Sequence, residues 1–110
     1  MPDSSSELLH GTLETLVLKT LCGGRLHGYA VARSIEGATD GVVTVEEGSL
    51  YPALYRMERK GWIEAEWGVS ELGRRAKFYR LTPRGRRQLS AQTAEWARFA
   101  AAISQVLLKT

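Results

Sequence analysis

The sequence predicts a mainly helical chain of α+β class, with four helices, one small β-hairpin, and a long last helix that ends the chain. Three observations predict it. Apolar residues recur at three- and four-residue spacing in four separate stretches, as on one face of a helix. Between the third and fourth stretches, "WIEAEW" and "KFYRL" alternate apolar and polar residues on either side of a glycine-containing turn, as paired strands do. From Pro83 to Thr110 nothing then interrupts the helical pattern.

Residues 1–8 read as a flexible lead-in. "MPDSSS" has no basic region followed by an apolar run and is not a signal peptide. His10 lies next to it and suggests no role. In "TLETLVLKTLCGG", Leu13, Leu16, Val17 and Leu21 share one helix face, and Gly23 and Gly24 end that helix. A second helix follows in "LHGYAVARSIEG", with Val31, Ala32 and Ile35 inward, Leu26 and Val31 as a hydrophobic staple, and Gly37 as its stop. Val43 to Val45 are β-branched or flanked by β-branched residues and predict a short strand.

The third helix is expected from Ser49, whose hydroxyl would cap a first-turn amide. Pro52 would then fall in the first turn, where its missing N–H has no intrahelical partner anyway. Leu50, Leu54 and Met57 point inward and Gly61 closes the helix. In the first strand Ile63 and Ala65 face one side, Glu64 and Glu66 the other. Thr82 and Pro83 then supply an N-cap and a first-turn proline for the last helix. The order is helix, helix, short strand, helix, strand, turn, strand, long helix. Its middle is a winged helix-turn-helix (residues 9–82), followed by a C-terminal dimerisation helix (83–110).

Composition narrows the function. The 110 residues suit one domain, and the single cysteine, Cys22, permits no internal disulfide. No apolar run approaches the ~18 residues of a membrane span, so a soluble, cytoplasmic protein without membrane contact is expected. The net charge is only +3, but Arg74, Arg75, Lys77, Arg80, Arg84, Arg86 and Arg87 follow one another without an intervening acid. Such a block points to a polyanion. An enzyme fails on inventory, with two distant histidines and no carboxylate pair in an apolar setting. No metal-ligand spacing and no phosphate-cradling glycine motif occur, so no cofactor or metal is expected.

In a helix-turn-helix the second helix enters the major groove of double-stranded DNA. Small residues at its start (Gly48, Ser49) would admit the phosphate backbone. Ser49, Tyr51, Pro52, Tyr55, Arg56 and Arg59 would line its outer face, with hydroxyl and guanidinium groups for phosphates and base edges. His27 and Tyr29 would lie at the start of the preceding helix, His27 as a turn or phosphate-facing residue. Arg74, Arg75 and Lys77 would work from the wing through phosphate charge. Along the last helix Leu89, Gln92, Trp96, Phe99, Ile103 and Val106 alternate at spacings of three and four, which is the seam of a coiled coil. Folding back on the first helix is partly compatible with the same pattern. A winged helix used only for protein contact is the alternative function, and the basic wing argues against it.

"LHGYAVARSIE", "GSLYPALYRMERKGWIEAEW" and "GRRAKFYRLTPRGRRQL" together resemble the PadR family of bacterial transcriptional regulators in its short form. The resemblance implies a homodimeric repressor on a palindromic operator, often released by a small aromatic or lipophilic effector. In multidrug-responsive members a tryptophan of the last helix sandwiches a flat ligand, and Trp96 matches it by its distance from "YRLT". Phe99, with Leu13 or Val17, would then line the effector site; the alternative is that Trp96 fills the dimer core.

Overall fold

The computed structural model describes residues 4–109, with side chains from Thr12 onward. Four helices surround a small sheet: α1 (Ser4–Thr20), α2 (Gly28–Ala38), α3 (Glu47–Arg59) and α4 (Pro83–Leu107). The strands are β1 (Leu26–His27), β2 (Ile63–Val69) and β3 (Arg75–Leu81), antiparallel in the order β1-β3-β2. α1 starts at Ser4, so the expected lead-in is helical from its fourth residue. Residues 1–3 and the side chain of His10 lie outside the described residues.

The core forms where the inward faces of α1, α2 and α3 meet. Leu13, Val17, Leu18, Val31, Leu50, Leu54 and Met57 are all buried there, and Ile63 and Tyr79 close it from the sheet. The spacing read from the sequence therefore identifies the packed faces, and the hairpin alternates as expected. Ile63 is buried, while Glu64 and Glu66 face solvent on the other side.

Four expectations need correction. Val43 to Val45 form no strand. The Val43 N–H donates to the Thr39 hydroxyl (3.1 Å) and the Val45 N–H to Glu36 Oε2 (2.9 Å), so side chains satisfy this backbone. The short strand is β1, earlier in the chain, which pairs Leu26 with Tyr79 and His27 with Phe78. Gly37 does not end α2. The helix runs to Ala38 and turns through Asp40 (φ 51°) and Gly41 (φ 78°). Finally, α3 begins at Glu47, with Glu46 as an N-cap whose side chain makes no capping bond. Pro52 is therefore in the second turn, where its ring removes the amide that would otherwise bond the Gly48 carbonyl.

The exit from α3 is as read. Gly61 adopts φ 77°, its N–H donates to Glu58 (3.0 Å), and the next N–H, of Trp62, returns to Met57 (3.0 Å). Thr82 then ties this exit to the start of α4. Its hydroxyl lies 2.7 Å from the Gly61 carbonyl and 2.9 Å from that of Trp62, and accepts the Gly85 N–H at 2.9 Å. Gly85 is pressed against the chain just before β2 and the end of β3: a Cβ there would sit 2.0 Å from the Trp62 carbonyl oxygen and 2.8 Å from Leu81 Cδ1. The backbone carbonyl cannot swing aside. Gly85→Ala is expected to cost about 3 kcal/mol or more, read as a fall in the urea midpoint at unchanged m-value. A loss under ~1 kcal/mol would mean that the junction is looser than its geometry.

Candidate nucleic-acid interface

α2 and α3 form the helix pair, and two contacts lock the hairpin and α2 onto α3. Tyr51 of α3 lays its ring over Gly28 at the start of α2; a Cβ on Gly28 would lie 2.9 Å from both Cε1 and Oη of that ring. Only glycine admits this approach, which explains the "HGY" sequence without any chemistry at position 28. From the sheet, Lys77 Nζ donates to Glu58 Oε1 of α3 at 3.2 Å. The hairpin is thus held beside the outer face of α3.

On that outer face Ser49, Pro52, Tyr55 and Arg59 are exposed, and Tyr51 is half exposed. The Arg59 guanidinium sits 5.7 Å from the centre of the Tyr55 ring, which leaves its N–H groups available to an acceptor. Arg56 differs from the expectation. Its Nε points back to Glu14 of α1 at 3.5 Å, an ion pair without hydrogen-bond geometry, so it helps hold α1 to α3. The start of α3 carries Glu46 and Glu47, and their carboxylates oppose the anion attraction expected at this helix end. Gly48 is nonetheless open, with nothing within 4 Å of a Cβ placed there.

The basic block read as one surface is divided among three. On β3, Arg75 and Lys77 share the face of Tyr79, while Arg80 lies on the opposite face and pairs with Glu64 (2.7 Å). Arg84, Arg86 and Arg87 belong to the first turns of α4 and are exposed. Within the wing, Arg74 has no ion pair among the described residues. Arg75 lies 4.5 Å over the exposed Trp67 ring. Lys77 is committed to Glu58. Trp67 is a surface residue; its alternation with Ile63 and Ala65 puts it on their side of β2, beyond the end of the core.

His27 is buried at the start of α2 and serves as its N-cap, with Nδ1 accepting the Ala30 N–H at 3.2 Å. Tyr29 is exposed beside it, and Arg33 lies 5.6 Å over its ring. The Tyr79 phenol is raised above its usual pKa, mainly by burial. Among the described residues no cluster of His, Cys, Asp and Glu could hold a metal ion, and no helix is long and apolar enough to cross a membrane.

The seam expected on α4 is split. Leu89 is buried in the protomer's own core, and Gln92 accepts a hydrogen bond from the Thr15 hydroxyl of α1 at 3.0 Å. Both are spent on folding back against α1. Beyond them Trp96, Phe99, Ile103 and Val106 are 53, 59, 40 and 77 % exposed. Leu13 and Val17, expected to line an effector site, are sealed in the core with almost no surface.

Comparison with known proteins agrees with this geometry. The family model described as "Transcriptional regulator PadR-like family" matches residues 17–91. A transcriptional regulator from Clostridium thermocellum superposes with a TM-score of 0.84 at 29 % identity, over 92 % of this chain and 98 % of that one. A PadR-like transcriptional regulator from Bacillus cereus gives 0.79 at 28 % identity, over 94 % and 99 % of the two chains. An uncharacterized protein of Lysinibacillus sphaericus is 32 % identical over 92 residues, 84 % of each chain.

Gly48 offers a direct test of the interface. Its site has room for a methyl group, and alanine is the better helix former by about 0.5–1 kcal/mol. Gly48→Ala should therefore hold or raise the melting temperature while weakening DNA binding in a fluorescence-anisotropy titration. Unchanged DNA affinity would remove the start of α3 from the interface. The wing is tested by salt dependence. Arg74→Ala should lower the magnitude of the log K against log salt slope by about 1, and Lys77→Ala by clearly less, because Glu58 already neutralises that ammonium.

Proposed function

The chain belongs to the PadR-like family of transcriptional regulators, and from that premise we propose that it is a sequence-specific repressor that binds a palindromic operator as a homodimer. Regulators of this family bind DNA and are not enzymes. The observation that carries the proposal is the outer face of α3, where Tyr51, Tyr55 and Arg59 project beside a wing held in place by Lys77 and Glu58. Hydroxyl and guanidinium groups on one helix face serve both phosphates and base edges. The exposed Arg74 and the Arg75–Trp67 pair extend that surface along the hairpin.

The dimer is supported by the far half of α4. Trp96, Phe99, Ile103 and Val106 form an apolar row that stays largely open to solvent among the described residues, and a row of that size on a small protein marks an interaction surface. A two-fold axis there would present two α3 helices to half-sites about 34 Å apart. Repression follows from occupancy, since a dimer over a promoter excludes the polymerase. Trp96 and Phe99 are also the residues we propose for a flat aromatic or lipophilic effector, without Leu13 and Val17 as walls.

Sedimentation should give a dimer at micromolar concentration. Phe99→Asp combined with Ile103→Asp should raise the dissociation constant at least about a hundredfold, with loss of operator binding and an intact circular-dichroism spectrum. A wild-type monomer, or no palindrome in a binding selection, would overturn the proposal. For the effector, dyes or phenolic acids should quench fluorescence in the wild type and not in Trp96→Phe; Trp62 and Trp67 supply the background.

A further inference from the structure

His27 is occupied on one side only. Because Nδ1 accepts the Ala30 N–H, the neutral ring carries its proton on Nε2. That Nε2 is buried and has no hydrogen-bond partner among the described residues, in a residue only 9 % exposed. An unsatisfied donor of this kind is uncommon. The group facing it is the Glu71 carboxylate, 3.5 Å away and so beyond a good hydrogen bond. Glu71 belongs to the wing turn and its side chain is 74 % exposed. Its carboxyl is held below the ordinary glutamate range, first by its own backbone N–H and then by His27.

The location gives this pairing meaning. His27 caps α2, an 11-residue helix whose first amides lack intrahelical partners and whose dipole is positive at this end. A helix start with a buried donor beside it is a receptor for an anion. In the protein alone the anion present is a loosely seated carboxylate from the wing. A phosphate has acceptor oxygens on every side and could make the short bond that Glu71 does not.

We infer that His27 Nε2 and the start of α2 form a phosphate site, that Glu71 of the wing fills it in the free protein, and that a backbone phosphate of bound DNA displaces Glu71 there. Glu71 is on this account a built-in competitor, lowering affinity for any DNA that does not reach the site. The inference rests on the DNA-binding reading above and adds to it a named phosphate contact and a contact that opposes it.

The test uses Glu71→Ala, His27→Asn and the double variant, on the duplex that the wild type selects. Asparagine keeps an N-cap acceptor and removes Nε2. Glu71→Ala should tighten binding by about two- to fivefold, the range of a weak contact made by a largely exposed charge, and His27→Asn should weaken it. Removing any acid raises DNA affinity through long-range attraction, but that gain would persist in the His27→Asn background. The expected gain disappears there. An equal gain in both backgrounds, or no gain in either, overturns the inference. A second arm needs no DNA: the His27 ring resonances are followed as inorganic phosphate is added. They should move at lower phosphate concentration in Glu71→Ala than in the wild type; no movement in either protein overturns the site. If the wild type selects no duplex, the DNA reading fails, and the phosphate titration decides the inference on its own.

Discussion

Everything downstream of α3 is aimed by one junction, the Thr82 hydroxyl set between the carbonyls of Gly61 and Trp62 with the Gly85 amide behind it. Four chain segments meet within those bonds: the end of α3, the start of β2, the end of β3 and the start of α4. The Thr82 N–H adds a fourth bond, to Trp62 O at 3.1 Å. Burial of Thr82 makes each bond consequential, because a buried polar group left without a partner costs about 1–3 kcal/mol. Gly85 is the steric condition for this, since any side chain would push α4 away from the carbonyl it touches. The hairpin therefore leaves α3 in one direction, and α4 departs from its base in another.

Fixing the hairpin at its base leaves its other end to be positioned by weaker means. Lys77 reaches Glu58 on the outer side, and Glu71 reaches toward His27 near the start of α2. The first is a partly exposed ion pair and the second a long 3.5 Å contact from an exposed carboxylate to a buried ring nitrogen, and weak charged contacts of this kind contribute little to stability and yield to a competing charge. The gradient from a buried junction to exposed tethers is what the proposed contact of the wing with a charged duplex would use: rigid where it sets the angle, adjustable where it touches. Placing an acid opposite each of two basic or donor groups also limits indiscriminate attraction to polyanions, because part of the positive charge is already answered within the protein.

How much of this could be read from the sequence varied with how local the cause was. The inward faces of α1 and α3, the alternation of β2, the Gly61 exit and the Thr82 cap depend on residues within a turn or two, and each was legible. β1 was not, because two residues carry no period and its existence depends on β3 some fifty positions later. Val43 to Val45 have strand propensity, yet Glu36 and Thr39 answer their amides first, which propensity cannot foresee. The start of α3 was misplaced because Glu46 caps through backbone conformation alone. On the outer face of α3 the helical spacing singled out Tyr51, Tyr55 and Arg59 as outward-facing, whereas the turn of Arg56 toward Glu14 and of Lys77 toward Glu58 depends on partners distant in the chain.

The same logic explains why a single heptad-like row on α4 meets two different surroundings. Its first members, Leu89 and Gln92, lie where α1 runs alongside, so a buried leucine and a satisfied glutamine suit them. The later members are exposed, and the helix continues there with Ala97, Ala100, Ala101 and Ala102 on its other positions. An isolated helix of a dozen residues is marginal in water even with good helix formers. The exposed row contributes no burial to offset this, whereas covering it would stabilise the helix by about 25 cal/mol per Å² of apolar area removed from water. A protomer by itself would leave this half of α4 weakly held. On the proposed dimer the far half of α4 is completed by its partner, so operator recognition and the folding of α4 become one concentration-dependent equilibrium.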